Sequence, residues 1–158
     1  MSELDDIPEL NYQPVDPLKN EVIKVSEHFS VEFIHTLHSI PGNAAIVVRT
    51  PNGVIYFSGD WRRETNPLGQ QTDFERIDKI VKDEGIALLV NESTNIDSPG
   101  RHPHSEYDVG ENLGRVMDHY ANGRVIVSCF SSQIKRIELI LNEAAKRGRK
   151  VAFAGFSM

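Results

Sequence analysis

The chain reads as an α/β protein, and three observations predict it. Ala44 to Val48 and Val54 to Phe57 flank Thr50-Pro51-Asn52-Gly53, a strong hairpin signal because Asn-Gly accepts positive φ at low cost. Ile86 to Val90 is a continuous apolar run of the kind that forms a buried strand. Apolar residues recur at three- and four-residue steps through Phe74, Ile77, Ile80 and Val81, and again through Ile134, Ile137, Leu141 and Ala145, which is helical spacing.

Taken in order, residues 1 to 20 are acidic and weakly periodic, a loose lead-in. A short strand starts at Val22, and the next spans Val31 to Leu37. His35 and His38 are three apart, so in a strand only one can point into a shared site. Trp61 to Gln71 reads as a polar surface loop in which Glu64 and Pro67 shape the chain. Thr72 or Asp73 caps the first helix, which Gly85 ends. Residues 96 to 104 form a crossover and the expected domain boundary; His102 and His104 read as solvated loop residues there. Ser105 opens a second helix reaching about Tyr120, in which Gly110 and Gly114 either weaken the helix or allow close packing. Strands are then expected at Arg124 to Phe130 and Val151 to Ala154, around the third helix. After the first short strand the order is therefore βββ–α–β–α–β–α–β.

Composition narrows the function. A net charge of −6 argues against broad, charge-driven nucleic-acid binding. The basic run Lys146, Arg147, Arg149, Lys150 is explained by a helix end, where cations complement the dipole. No apolar run reaches the ~20 residues of a membrane span, and the acidic start is not a secretory signal. The single cysteine, Cys129, allows no internal disulfide, which agrees with a cytoplasmic location.

Chemistry concentrates at strand ends. His38 follows the first long strand, Asp60 closes the third, and Glu92 follows the apolar run. Imidazole and carboxylate suit zinc or manganese, although such residues more often serve as plain turn residues. Ser131 and Ser132 precede the third helix, where free N–H groups and the helix dipole form a natural anion site. An ordinary helix cap explains them equally well.

The exact wording adds to this. His38-Ser39-Ile40-Pro41, Ser58-Gly59-Asp60, Asn91-Glu92-Ser93-Thr94-Asn95, Ser105-Glu106, Phe130-Ser131-Ser132, Arg136-Ile137 and Gly155-Phe156-Ser157-Met158 together resemble the ribonuclease J group of the metallo-β-lactamase/β-CASP family. The resemblance runs from about residue 20 to 158. It implies the C-terminal part of a metallo-β-lactamase αββα sandwich over residues 1–98, followed by the start of a β-CASP domain over 99–158. It further implies that His38 binds a metal, that Asp60 bridges two zinc or manganese ions, and that Glu92 supports the site. Water activated by the two metals would hydrolyse RNA. Ser131, Ser132, Arg136 and Ser157 are implied phosphate contacts.

Two departures matter. The family's His-x-His-x-Asp-His motif is absent, and Gly42 stands where many relatives have Asp, removing an acceptor for the His38 ring. The sequence thus reads as the middle of a larger enzyme, expected to bind little metal alone, to cleave no RNA, and to self-associate or require a missing N-terminal half. The alternatives are a non-catalytic nucleic-acid-binding or assembly module with a degenerate metal site, or a small-molecule hydrolase of the same fold.

Overall fold

The computed structural model describes residues 12–64, 66–94, 96–100 and 105–155, so the expectations for Asn95, His102, His104, Phe156 and Ser157 lie outside the described residues. Five strands form one sheet: β1 (Val22–Lys24), β2 (Ser30–His35), β3 (Ala44–Thr50), β4 (Gly53–Phe57) and β5 (Leu88–Val90). They lie in the order β1-β2-β3-β4-β5. The first three pairings are antiparallel, and β4–β5 is parallel. Helix α1 (Phe74–Asp83) crosses over between β4 and β5, and α2 (Glu106–His119) and α3 (Ile134–Lys146) follow. The architecture is mixed α/β, as the sequence predicts.

The β3–β4 hairpin turns at Thr50 to Gly53 as its signal requires. Thr50 Oγ1 donates to the Gly53 carbonyl and accepts from the Asn52 N–H. Gly53 has φ +122°, and a Cβ there would come 2.7 Å from the Ala87 side chain, so only glycine fits.

Period-2 alternation gives the sheet two unlike faces. Ile34, Ala45, Val47, Val54 and Tyr56 are buried on one, with Ile80 of α1 completing the cluster. Glu32, fully buried on that face, accepts from Arg76 of α1 at 2.5 and 2.9 Å and from Arg49 at 2.8 Å. On the opposite face the register aligns Phe33, Ile46, Phe57 and Val90 in one row, and Val31, Val48, Ile55 and Leu88 in another. That face is open: Phe57, Leu88 and Val90 are exposed and Ile46, Val48 and Ile55 half-buried.

Helix boundaries follow their local chemistry. Asp73 caps α1 by accepting from the Arg76 N–H at 2.9 Å. Ser105 and Asp108 form a reciprocal capping box at the start of α2. Gly110 and Gly114 serve close packing: a Cβ at Gly110 would lie 2.9 Å from Leu139 of α3. At Gly114 it would meet Glu143 and Arg147.

Three expectations need correction. The apolar run forms a strand only over Leu88–Val90, and it is an exposed edge, because β4 is its single neighbour among the described residues. Segments 124–130 and 151–154 are not strands. Their β-forming side chains find no ladder partner among the described residues, and short strands without a neighbouring sheet are not stable. Ile126, Phe130 and Phe153 are accordingly exposed. The observed order is ββββ–α–β–α–α.

Candidate functional site

Topology alone gathers the candidate residues. β2 and β4 both run antiparallel to β3, and β5 is parallel to β4, so the C-terminal ends of β2, β4 and β5 share one edge. His38, Asp60 and Glu92 each follow one of those ends. Hydrogen bonds lock the segments together. The Arg62 N–H donates to the Leu37 carbonyl at 2.9 Å, and the Ser58 N–H to the Val90 carbonyl at 2.9 Å. Buried Ser58 accepts from the Glu92 N–H through Oγ at 3.0 Å and donates to the Gly59 carbonyl at 2.7 Å. Asn43 Nδ2 donates to the Asp60 carbonyl at 2.6 Å.

The Glu92 carboxylate accepts from the Thr94 N–H at 2.9 Å. That bond, reinforced by the Thr94 hydroxyl and by the nearby His38, holds the Glu92 carboxyl below its ordinary range. His38 is half-buried, with Nδ1 3.3 Å from Ser39 Oγ, and the Asp60 side chain is exposed. His35 turns elsewhere, its Nε2 3.2 Å from the Gln70 carbonyl. Gly42 sits at φ +82° with open space around it.

The donor set is of the right chemistry for a divalent metal but incomplete. Among the described residues no three His, Cys, Asp or Glu side chains gather in a group that could hold a metal ion. A zinc site takes three or four protein ligands, so the described residues of this chain do not form one by themselves.

Of the expected phosphate contacts, Ser131 and Ser132 precede α3 and Arg136 lies in its first turn. Ser131 is half-buried and Ser132 exposed, and Gln133, the residue capping α3, makes no side-chain cap hydrogen bond. The Arg136 guanidinium is bidentate on Glu106, at 2.5 and 2.6 Å. Glu106 also takes Arg62 at 3.1 Å, and Arg62 pairs with buried Glu64. Arg136 first, and then Arg62, hold the Glu106 carboxyl below its ordinary range. This cluster ties the loop after Asp60 to α2 and α3, and Glu64 shapes that loop as expected.

Sequence reasoning missed Asn43, Ser58, Glu32 and the structural use of Arg149. The Arg149 guanidinium donates to the carbonyls of Met117, Tyr120, Ala121 and Gly123, closing the C-terminal end of α2 rather than its own helix. Polar residues next to site strands were the available signal for Asn43 and Ser58.

The fold and these residues define a class: a mixed α/β sheet that sets an imidazole and two carboxylates beyond the C-terminal ends of three strands. Comparison with known proteins narrows the class. The family model for the ribonuclease J beta-CASP domain matches residues 122–158. Ribonuclease J of Thermus thermophilus is 36% identical over 149 residues, covering 94% of this chain and 25% of the relative. Ribonuclease J of Synechocystis is 38% identical, covering 94% and 22%. That of Mycobacterium tuberculosis is 40% identical over 131 residues, covering 82% and 23%. A crystal structure of a protein of unknown function from Enterococcus faecalis V583 superimposes with a TM-score of 0.59 at 27% identity, covering 78% of this chain and 29% of that one. The chain is similar to ribonuclease J over most of its own length, and it spans about a quarter of the length of the curated relatives it matches.

Proposed function

We propose that this chain supplies one side of a metal-dependent RNA phosphodiesterase site, with His38 as a metal ligand, Asp60 as the carboxylate between two ions, and Glu92 as the carboxylate that supports them. The observation that carries this reading is that all three follow strand ends at one sheet edge, held by the Ser58 and Asn43 hydrogen bonds. A zinc or manganese pair, when bound, supplies a nucleophile at neutral pH and stabilises charge on the phosphate. The remaining ligands would come from outside the described residues, because these do not gather three donors.

Residues 1–98 and 99–158 then serve as parts of two domains, the second facing RNA. Ser131, Ser132 and Ser157 are the proposed phosphate contacts. Arg136 contributes by fixing the start of α3, since Glu106 occupies its guanidinium. The open apolar face with Phe57, Leu88 and Val90 favours self-association or a covering segment. No helix among the described residues is long and apolar enough to cross a membrane, and the proposed location is the cytoplasm.

The test is to join this chain to a segment carrying His-x-His-x-Asp-His. Metal-dependent cleavage of labelled RNA that is abolished by Asp60→Asn supports the reading. Cleavage unaffected by that change contradicts it.

A further inference from the structure

Between α1 and the β4–β5 pair lies a cleft of about 540 Å³, a volume that suits a small ligand. Native interiors contain few voids larger than a water molecule, so a gap of this size is not ordinary packing. Its apolar lining comes from Trp61, Phe74, Ile77, Val81, Ile86 and Leu89. Val81 and Leu89 are exposed, so the rim is apolar as well. Although a quarter of the chain is charged, no lysine, arginine, histidine, aspartate or glutamate lines the cleft. The aromatic wall is braced within the fold. Trp61 Nε1 donates to Asn91 Oδ1 at 3.1 Å, tying the loop after Asp60 to the end of β5. Trp61 and Phe74 meet edge to face, with ring centroids 6.4 Å apart.

Three hydroxyl-bearing residues interrupt this apolar lining. Tyr56, the register partner of Leu89, is only 9% exposed, and its hydroxyl has no hydrogen-bond partner among the described residues. Burial pushes its phenol up from the ordinary value, so it stays a neutral O–H donor. Thr36 and Thr72, both buried, accept from Asn43 Nδ2 at 2.7 Å and from the Leu37 N–H at 2.9 Å. A hydroxyl that accepts still has its own hydrogen to give. A buried donor without a partner is costly, and a ligand oxygen recovers that cost. Anions are poorly matched, because no cation in the lining offsets their desolvation. A pure hydrocarbon leaves the donors unpaired. We propose that the cleft is a binding site for a planar, uncharged aromatic molecule that carries a carbonyl oxygen. Its rings lie against Trp61 and Leu89, and its oxygen accepts from the Tyr56 hydroxyl. This site uses nothing of the metal reading of His38 and Asp60.

The test titrates the 158-residue chain with 2-acetylnaphthalene, naphthalene and 2-naphthoate, following the indole N–H resonance of Trp61, the single tryptophan. A saturable shift is expected with 2-acetylnaphthalene. Naphthalene has no acceptor and should bind about fivefold more weakly, the factor for roughly one net hydrogen bond. 2-Naphthoate should bind at least about tenfold more weakly, since its charge is desolvated without a partner. Tyr56→Phe keeps the ring and removes a hydroxyl with no partner in the fold. It should weaken 2-acetylnaphthalene by the same factor of about five and leave naphthalene unchanged. Val81→Phe, at an exposed position of the rim, should weaken both neutral probes by filling the mouth. Absence of a saturable shift with any probe would overturn the proposal. So would 2-naphthoate binding most tightly, or 2-acetylnaphthalene binding that neither substitution changes, which places the probe elsewhere. A Trp61 shift that grows with protein concentration alone would show a second copy in the cleft and overturn it too.

Discussion

Beneath α1, Ile34, Ala45, Val47, Val54, Tyr56 and Ile80 form one buried cluster, whereas the buried apolar side chains of the α2–α3 pair are Met117 and Ala144. The helical pair is held instead by charged groups. Arg136 grips Glu106, Arg147 bridges Asp118 and Glu143, and Arg149 collects the carbonyls at the end of α2. Its apolar residues at 126, 130 and 153 face solvent. Among the described residues the sheet region has most of one core, whereas the helical region has its scaffold without an apolar layer that closes it. Stability of the first should follow apolar burial, and that of the second should follow pH and salt.

The ion buried in the sheet region should matter most. Glu32→Gln leaves Arg49 and Arg76 facing a neutral amide and should cost about 3 kcal/mol in urea unfolding. A loss below about 1 kcal/mol would mean that the apolar cluster carries this region alone.

Glu106→Gln should cost less, about 2 kcal/mol, because Arg62 and Arg136 are partly solvated. The sign of its pH dependence is fixed. Glu106 is lowered from 4.5 by Arg136 first and Arg62 second. Its contribution is therefore fully present above that ordinary value and is lost as pH falls from there through the lowered value in the folded chain. Amide exchange in α2 and α3 should rise over that window in the unsubstituted chain, and the Gln variant should show a flatter profile. Equal acid sensitivity in β3 would remove the distinction between the regions.

The same contrast explains what was legible in the sequence. Hairpin chemistry at Asn52-Gly53, the Asp73 cap and the Ser105 capping box act within a few residues, so they are readable from local spacing. Strands at 124–130 and 151–154 were read from apolar content, but a strand also needs a neighbour, and content does not supply one. At the site, His38, Asp60 and Glu92 were visible as chemistry at strand ends. Asn43 and Ser58 were not, because their role depends on which strands lie side by side. Arg149 looked like a cation for its own helix; the fold sends it to α2.

In the helical region the end of α2 should matter less. Arg149→Ala should lower stability by about 1 kcal/mol, through carbonyls left to water at the end of α2. Exchange should quicken at Tyr120 and Gly123, whose N–H groups bond within that turn, and remain unchanged in the sheet.

The proposed function holds that this chain carries part of a metal site and not a whole one. Metal analysis of the purified 158-residue chain, paired with cleavage of end-labelled RNA in zinc or manganese, tests it most directly. Well under one metal ion per chain and no cleavage above background are the expected results. Near-stoichiometric metal with metal-dependent cleavage, lost on Asp60→Asn, would contradict it and show that the missing ligands are supplied by this chain's own residues.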